Sequence, residues 1–438
     1  MKNVRFGIFS ASLVAAVAAF AGASVSDVTV TPLESSRHVE ITYMLKGGPA
    51  IVTVEMATNG IPVGAKASRS VVGDVNLLVQ PSDTVAKRIS WSADDDLPDC
   101  ALAKVSVTVK LWSPDDPPNY LAARIVPNEA KHTMYFTCED ALPGGIEDRR
   151  WRTDYLLMRR IPHSSDFWRM GAPAGECDAR AASEVPHYVK LTKDYYIGVF
   201  EMTQRQFASL WPNNPYPSSD AQKALPDADI RPVTCVYVHG MLRHTPSATS
   251  YRWPEDGHSY SDAVFMGKLL ARTGIAFDLP TDAQWEYAAR AGEKAAMYNG
   301  KLAGDDSVTE IAWCQKGGAT INTPAPVGSL KPNAWGLYDT LGNVGEWTLD
   351  WWTDSSAGYP NNDYHYNAGE TGGIVDPVGP DSSGKSYLVV RGCGTAVAVG
   401  DTATYVRTAH RLERRGPKAY LDWIGFRVVC PCPAAASF

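Results

Sequence analysis

The sequence predicts an α+β protein in two parts: an N-terminal all-β sandwich and a larger C-terminal domain with little regular secondary structure. Three observations carry this. Side chains alternate with period two from about Val25 to Cys138. A polar stretch with a Pro143-Gly144-Gly145 break follows over residues 139–152. From residue 153 onward Gly and aromatic residues abound, long stretches lack any period, and only two helices are readable.

In the first part, His38-Val39-Glu40-Ile41-Thr42-Tyr43, Ile51-Val52-Thr53-Val54-Glu55-Met56 and Val105-Ser106-Val107-Thr108-Val109-Lys110-Leu111 read as half-buried strands. Gly47-Gly48, Asn59-Gly60 and Pro117-Pro118 supply the turns between them. Several short strands in so short a span suggest an immunoglobulin-like sandwich over residues 24–138, joined by a linker at 139–152 to a domain at 153–438. The length of 438 residues allows that number of domains.

Residues 1–23 read as an export signal. Lys2 and Arg5 form a positive start, Phe6 to Phe20 an apolar stretch, and Ala21-Gly22-Ala23 a small-residue cleavage site before Ser24. A membrane anchor is the competing expectation, disfavoured by the short, Ala-rich run and the lack of a stop-transfer pattern. The mature chain is therefore expected to be secreted, periplasmic or at the cell surface. A net charge of -7 leaves no basic excess for nucleic acid or an anionic membrane.

Eight cysteines, at 100, 138, 177, 235, 314, 393, 430 and 432, form an even set that favours disulfides in an exported protein, with the pairing open. Cys100 with Cys138 is one option, and Cys430 and Cys432 are expected to enter two separate bridges. No C-x-x-C occurs, and the nine histidines form no zinc-like group. No Gly-x-Ser-x-Gly elbow marks a hydrolase.

In the second part, Thr281 caps a helix through Arg290, with Gln284 completing a capping box and Gly292 ending it. Trp285, Ala288 and Ala289 form its buried stripe, and Glu286 and Arg290 pair at i and i+4. A second helix starts near Ser261, carries Val264, Phe265, Leu269 and Leu270, and stops at Thr273-Gly274.

Taken in order, a series of fragments resembles the formylglycine-generating enzyme, or sulfatase-modifying factor, family. They include Met170-Gly171, Glu184-Val185-Pro186-His187, Glu201-Met202-Thr203-Gln204, Leu279-Pro280-Thr281 through Arg290, and Gly336-Leu337-Tyr338-Asp339. Gly342-Asn343-Val344-Gly345-Glu346-Trp347, Arg391-Gly392, Arg411 and Gly425-Phe426-Arg427 complete the series. The resemblance implies a C-type-lectin-like fold over roughly residues 153–430, in which Arg411 and Arg427 satisfy buried oxygens and His187 and Glu201 are structural.

Oxidases of that family hold copper on two cysteines a few residues apart after an Arg-Gly-Gly-Ser strand, because soft thiolates suit Cu(I). Aligned on Arg391-Gly392, those positions here are Val397 and Thr402, the serine is Gly394, and a tryptophan of the neighbouring loop is Gly345. The resemblance thus implies loss of the oxidase, with copper excluded unless Cys393 is joined by Cys430 or Cys432. It also implies a structural calcium ion held by Asp339, Glu346 and the main chain at Gly342 and Val344, against a metal-free turn in which Glu346 caps amides. The family's other calcium site does not carry over, since Trp313, Cys314 and Ala319 lack suitable oxygens.

Trp351-Trp352 with Asp350 and Asp354 could stack on a sugar, though core packing is the commoner role of such aromatics. The function expected is a binding or structural module for an extracellular protein or glycan. A sulfatase-cysteine oxidase with another site, and a diversified lectin-fold protein varying over Gly394 to Asp422, are the competing expectations.

Overall fold

The computed structural model describes residues 22–33, 37–98, 105–172, 176, 184, 186–212, 218–243, 261–302, 306–314, 323–352, 373–378, 387–394 and 402–432. Residues 1–21 of the expected export signal at 1–23, and Val397, Cys100, Cys177, Ala319 and Asp354, lie outside them. The chain divides into two compact units: the described residues up to Ala122 with His132–Trp151, and Ala123–Lys131 with those from Arg152 on.

The first unit is all-β and follows the alternation. Strands β1 (Ala23–Pro32), β2 (His38–Gly47), β3 (Ala50–Thr58), β4 (Ile61–Pro62), β5 (Val72–Gly73), β6 (Leu77–Val79), β7 (Lys87–Ser92) and β8 (Val105–Trp112) form two sheets. One has the order β1-β2-β7-β5; the other is β4-β3-β6, with β8 also paired to β3. Val39, Ile41, Tyr43 and Leu45 of β2 and Val105, Val107, Val109 and Leu111 of β8 all enter one core with Trp91. Each such side chain contributes about 1.5–3 kcal/mol on burial. Thr58 pairs with Ile61 across Asn59-Gly60, both at positive φ (52° and 78°), the two-residue hairpin that this dipeptide favours. The expected cleavage point falls at the start of β1, where Ala23 is already paired with Gly47.

Residues 139–151, expected to be a linker, belong to the first unit. Trp151 is fully buried, packs edge-on to Phe136 at 6.1 Å, and donates from its indole to the Gly145 carbonyl at 2.8 Å. A large aromatic placed among polar turn residues anchors what composition alone marks as a connection. Two further strands, β9 (Tyr120–Arg124) and β10 (Thr133–Phe136), precede it.

The second unit has small sheets tied by irregular chain. Strands β11 (Tyr155–Ile161), β14 (Tyr195–Gly198) and β20 (Val429–Pro431) run antiparallel side by side. Between them in sequence come β12 (Trp168–Met170), β13 (His187–Lys190), β15 (Gly345–Trp351), β16 (Gly373–Val375), β17 (Leu388–Arg391), β18 (Leu412–Arg415) and β19 (Ile424–Gly425). These give a β12-β13-β16 sheet and a β18-β17-β15-β19 sheet.

The Asp282–Arg290 helix has the expected capping box, with both Thr281–Gln284 bonds present. It ends on Ala291 in the left-handed region (φ 49°), one residue before Gly292. Its burial exceeds a stripe: Asp282, Gln284, Glu286 and Arg290 are buried with the apolar positions. The other helix spans Phe265–Thr273, starting later than Ser261, and Gly274 closes it at φ 79°.

The expectation of disulfides is corrected among the described residues, where Cys138, Cys235, Cys314, Cys393, Cys430 and Cys432 take part in no disulfide. Four of them are buried as small apolar groups, a role that free cysteine commonly fills. No helix among the described residues is long and apolar enough to cross a membrane.

Candidate functional site

The loop from Leu337 to Trp347 gathers charge at the centre of the second unit. Asp339, Gly342 and Asn343 all take positive φ (56°, 81° and 58°), which folds the segment tightly. A Cβ at Gly342 would stand 2.6 Å from the Trp313 nitrogen, so the backbone approach there requires glycine. Leading into β15, the same loop delivers Glu346, whose carboxylate accepts both Nε and Nη2 of Arg427 at 2.6 Å and the Trp285 indole at 2.7 Å. Arg427 also donates to the carbonyls of Gly198 and Tyr338, at 2.9 and 3.0 Å.

Glu201, not Glu346, caps the loop's nitrogens, accepting Asn343 Nδ2 at 2.6 Å and the Val344 amide at 3.1 Å. Asp339 accepts the Gly328 amide at 2.6 Å. Burial pushes the Asp339 carboxyl up to about 6, with Glu346 adding to the push while the Gly328 amide and Arg427 oppose it. Burial, then Asp339 and Glu346, hold Glu201 well above the usual carboxylate range. Three buried carboxyl groups thus surround one paired guanidinium.

The set offers hard oxygens of the kind calcium takes, with a spare lone pair on a Glu346 oxygen already accepting Arg427. Among the described residues no three His, Cys, Asp or Glu are grouped to hold a metal ion, so such a site would rest on Asp339, Glu346 and main-chain carbonyls.

Beside this loop lies a second buried lattice. Arg391 donates to Asp282, to Glu286 at 3.0 Å, and to the carbonyls of Thr408 and His410 at 3.2 Å. Glu286 also pairs with Arg290 at 2.8 Å, and Asp282 with Arg411 at 3.0 Å. Arg407 bridges Glu176 and Glu184, at 3.0 and 2.8 Å, and His410 Nδ1 lies 2.9 Å from Glu184. These charges brace a core poor in regular structure.

Copper does not fit the residues described. Cys393 follows β17 at φ 59° and lies 1% exposed among Met297, Tyr298, Ile311, Cys314, Leu341 and Val406. Burial, reinforced by the neighbouring Cys314 thiol, raises it well above the usual thiol range. Cys430 sits in β20 opposite Tyr196, outside that apolar cluster. Thr402 opens the short helix Thr402–Tyr405.

Trp351 is core, edge-on to His239 at 5.4 Å, and Asp350 is spent on the Asp282 amide at 2.7 Å. Trp351 thus takes the commoner core role, while Trp352 is half-buried. His187 and Glu201 are buried, as a structural role requires.

An opening missed in the sequence lies elsewhere. A cavity of about 400 Å³ is lined by Phe167, Trp168, Arg169, Tyr188, Tyr287 and Lys294, within the size range of small-molecule sites. Its residues come from β12, β13, the Asp282–Arg290 helix and the turn after it, and no spacing in the sequence links them. Tyr287 lies within the marked Leu279-to-Arg290 fragment, and Arg169 and Tyr188 adjoin Met170-Gly171 and His187, but nothing in the sequence brings those fragments together.

Among curated relatives, the chain is 28% identical over 205 residues to the chaperone protein LppX of Paenibacillus barcinonensis, covering 42% of this chain and 71% of that one. It is 34% identical over 124 residues to the formylglycine-generating enzyme of Bos taurus, covering 25% of this chain but only 30% of the enzyme. With the Streptomyces coelicolor enzyme the figures are 36% over 147 residues, 30% and 40%. The chain therefore spans less than half the length of those two enzymes. Among solved structures, PvdO from Pseudomonas aeruginosa aligns at 24% identity and TM-score 0.46, over 63% of this chain and 94% of that one. Residues 168–431, well over half of the chain, match the sulfatase-modifying factor enzyme 1-like domain, and the chain belongs to that family.

Proposed function

We propose that this chain is a non-oxidase member of its family, exported through residues 1–23 and acting outside the cell as a binding module for a protein or glycan. In this account the N-terminal unit is an immunoglobulin-like support and the second unit a C-type-lectin-like domain that carries the ligand. The observation that carries it is the sealed position of Cys393: the one cysteine beside the Arg391-Gly392 strand is buried in an apolar cluster with its thiol pushed up. Val397 and Thr402, where the oxidases have cysteines, offer no soft ligand. A scaffold kept while its chemistry is lost is consistent with the general separation of fold from function.

Calcium, in this proposal, is structural. Asp339 and Glu346 with the carbonyls of Gly342 and Val344 hold it, and its charge offsets the mutual repulsion of the buried carboxyl groups.

The test is incubation of the purified mature chain with copper, oxygen and a peptide bearing the sulfatase cysteine motif. The expected result is an unmodified peptide cysteine by mass spectrometry and no stoichiometric copper on the protein. Formylglycine in the peptide would overturn the proposal.

A further inference from the structure

The cavity beside β12 and β13 has a composition that selects among ligands. Its wall is aromatic: the Trp168 and Tyr287 rings stand 5.2 Å apart at 42°, and Phe167 and Tyr188 are 40% and 39% exposed. Arg169 and Tyr188 are opposite one another in the β12–β13 register, which sets a cation beside an aromatic plane.

The charges at the mouth are unbalanced. Arg169 and Lys294 are exposed and have no ion-pair partner among the described residues. The one carboxylate among the described lining residues, Glu293, turns back on its own chain and accepts the amides of Lys294 and Ala295, at 2.6 and 2.9 Å. Arg290 is likewise occupied, by Glu286 and the Gly171 carbonyl. The Trp168 Nε1 donor, by contrast, is buried within the protein without a hydrogen-bond partner and adds nothing to the cavity's surface.

We infer that this cavity binds an anionic saccharide, the sugar ring lying on the aromatic wall and its carboxylate or sulfate between Arg169 and Lys294. This rests on the proposed binding role and names its site and ligand class. Aromatic faces pack against the C–H face of a pyranose, and tilted rings suit its non-planar shape better than that of a flat base. One arginine and one lysine match a singly charged group, and the guanidinium adds a two-pronged contact. No bond is made or broken.

The test is calorimetric titration of the full mature chain with three probes: oligogalacturonate, a chondroitin sulfate oligosaccharide and a neutral cello-oligosaccharide of equal length. Binding of at least one anionic probe and not the neutral one is expected, and the two anionic arms separate carboxylate from sulfate recognition. Arg169→Ala and Lys294→Ala should each weaken that binding about tenfold with melting temperature unchanged, the loss typical of a charge-assisted hydrogen bond. Tyr188→Ala should weaken it while leaving its salt dependence intact. Equal binding of the neutral probe, no binding of any probe, or affinity indifferent to Arg169→Ala and Lys294→Ala would overturn the assignment. So would a glutamate-rich peptide outcompeting the anionic sugars. A failure of this kind leaves the non-oxidase proposal standing, whereas formylglycine formation sinks that proposal whatever the sugars do.

Discussion

Arg427 shows how single residues hold a domain with so little regular structure. It is fully buried and its donors meet both Glu346 oxygens and two carbonyls, so its desolvation is offset only while all partners stay in place. Replacing it by Met, similar in length, leaves Glu346 buried beside Glu201 and Asp339 with no counter-charge. Arg427→Met is expected to cost about 3–5 kcal/mol, read as a lower urea midpoint with the slope unchanged. A midpoint equal to that of the natural chain would show that this buried pair adds nothing to stability. The family resemblance marked Arg427 and Glu346 separately; their pairing across 81 positions is a fact of folding. Equally, Lys294 and Arg169 look in the sequence like ordinary surface charges, and only their meeting around an aromatic wall gives them a common role.

At the scale of elements, local rules worked where they concern neighbours in sequence. Thr281 and Gln284 are three residues apart, so the capping box is written in the chain itself, as are the Asn59-Gly60 hairpin and the Gly274 stop. Thr281→Ala removes the acceptor for the Gln284 amide and is expected to lower stability by about 1 kcal/mol, seen as a small drop in thermal midpoint. A drop several times larger would mean that Thr281 serves the core and not just the helix end. Local rules failed where long-range packing decides. The helix appears amphipathic by period, yet Arg391, delivered by β17, reaches Asp282 and Glu286 and makes its polar face interior as well. Residues 139–151 appear to be a linker because nothing nearby reveals that Trp151 will meet Phe136.

For the whole molecule, the two units differ in what keeps them folded. The first relies on alternating apolar side chains between sheets. The second adds to its apolar core buried ion pairs and a carboxyl-rich loop. If calcium binds there, millimolar calcium should raise the melting temperature and EDTA lower it, and Asp339→Ala should abolish the difference. Identical melting curves in calcium and EDTA would remove the ion from the account. By itself the sequence determined the all-β start, two of the helices of the second unit, the family, and the lack of a copper-binding cysteine pair at the aligned positions. Each is a matter of residue order, period or identity. Tertiary structure alone decided that Cys393 is sealed in an apolar cluster, that Trp351 is core, and that aromatics and cations from distant segments share one cavity. Burial and convergence belong to the folded chain, because they depend on segments far apart in sequence that only long-range packing brings together.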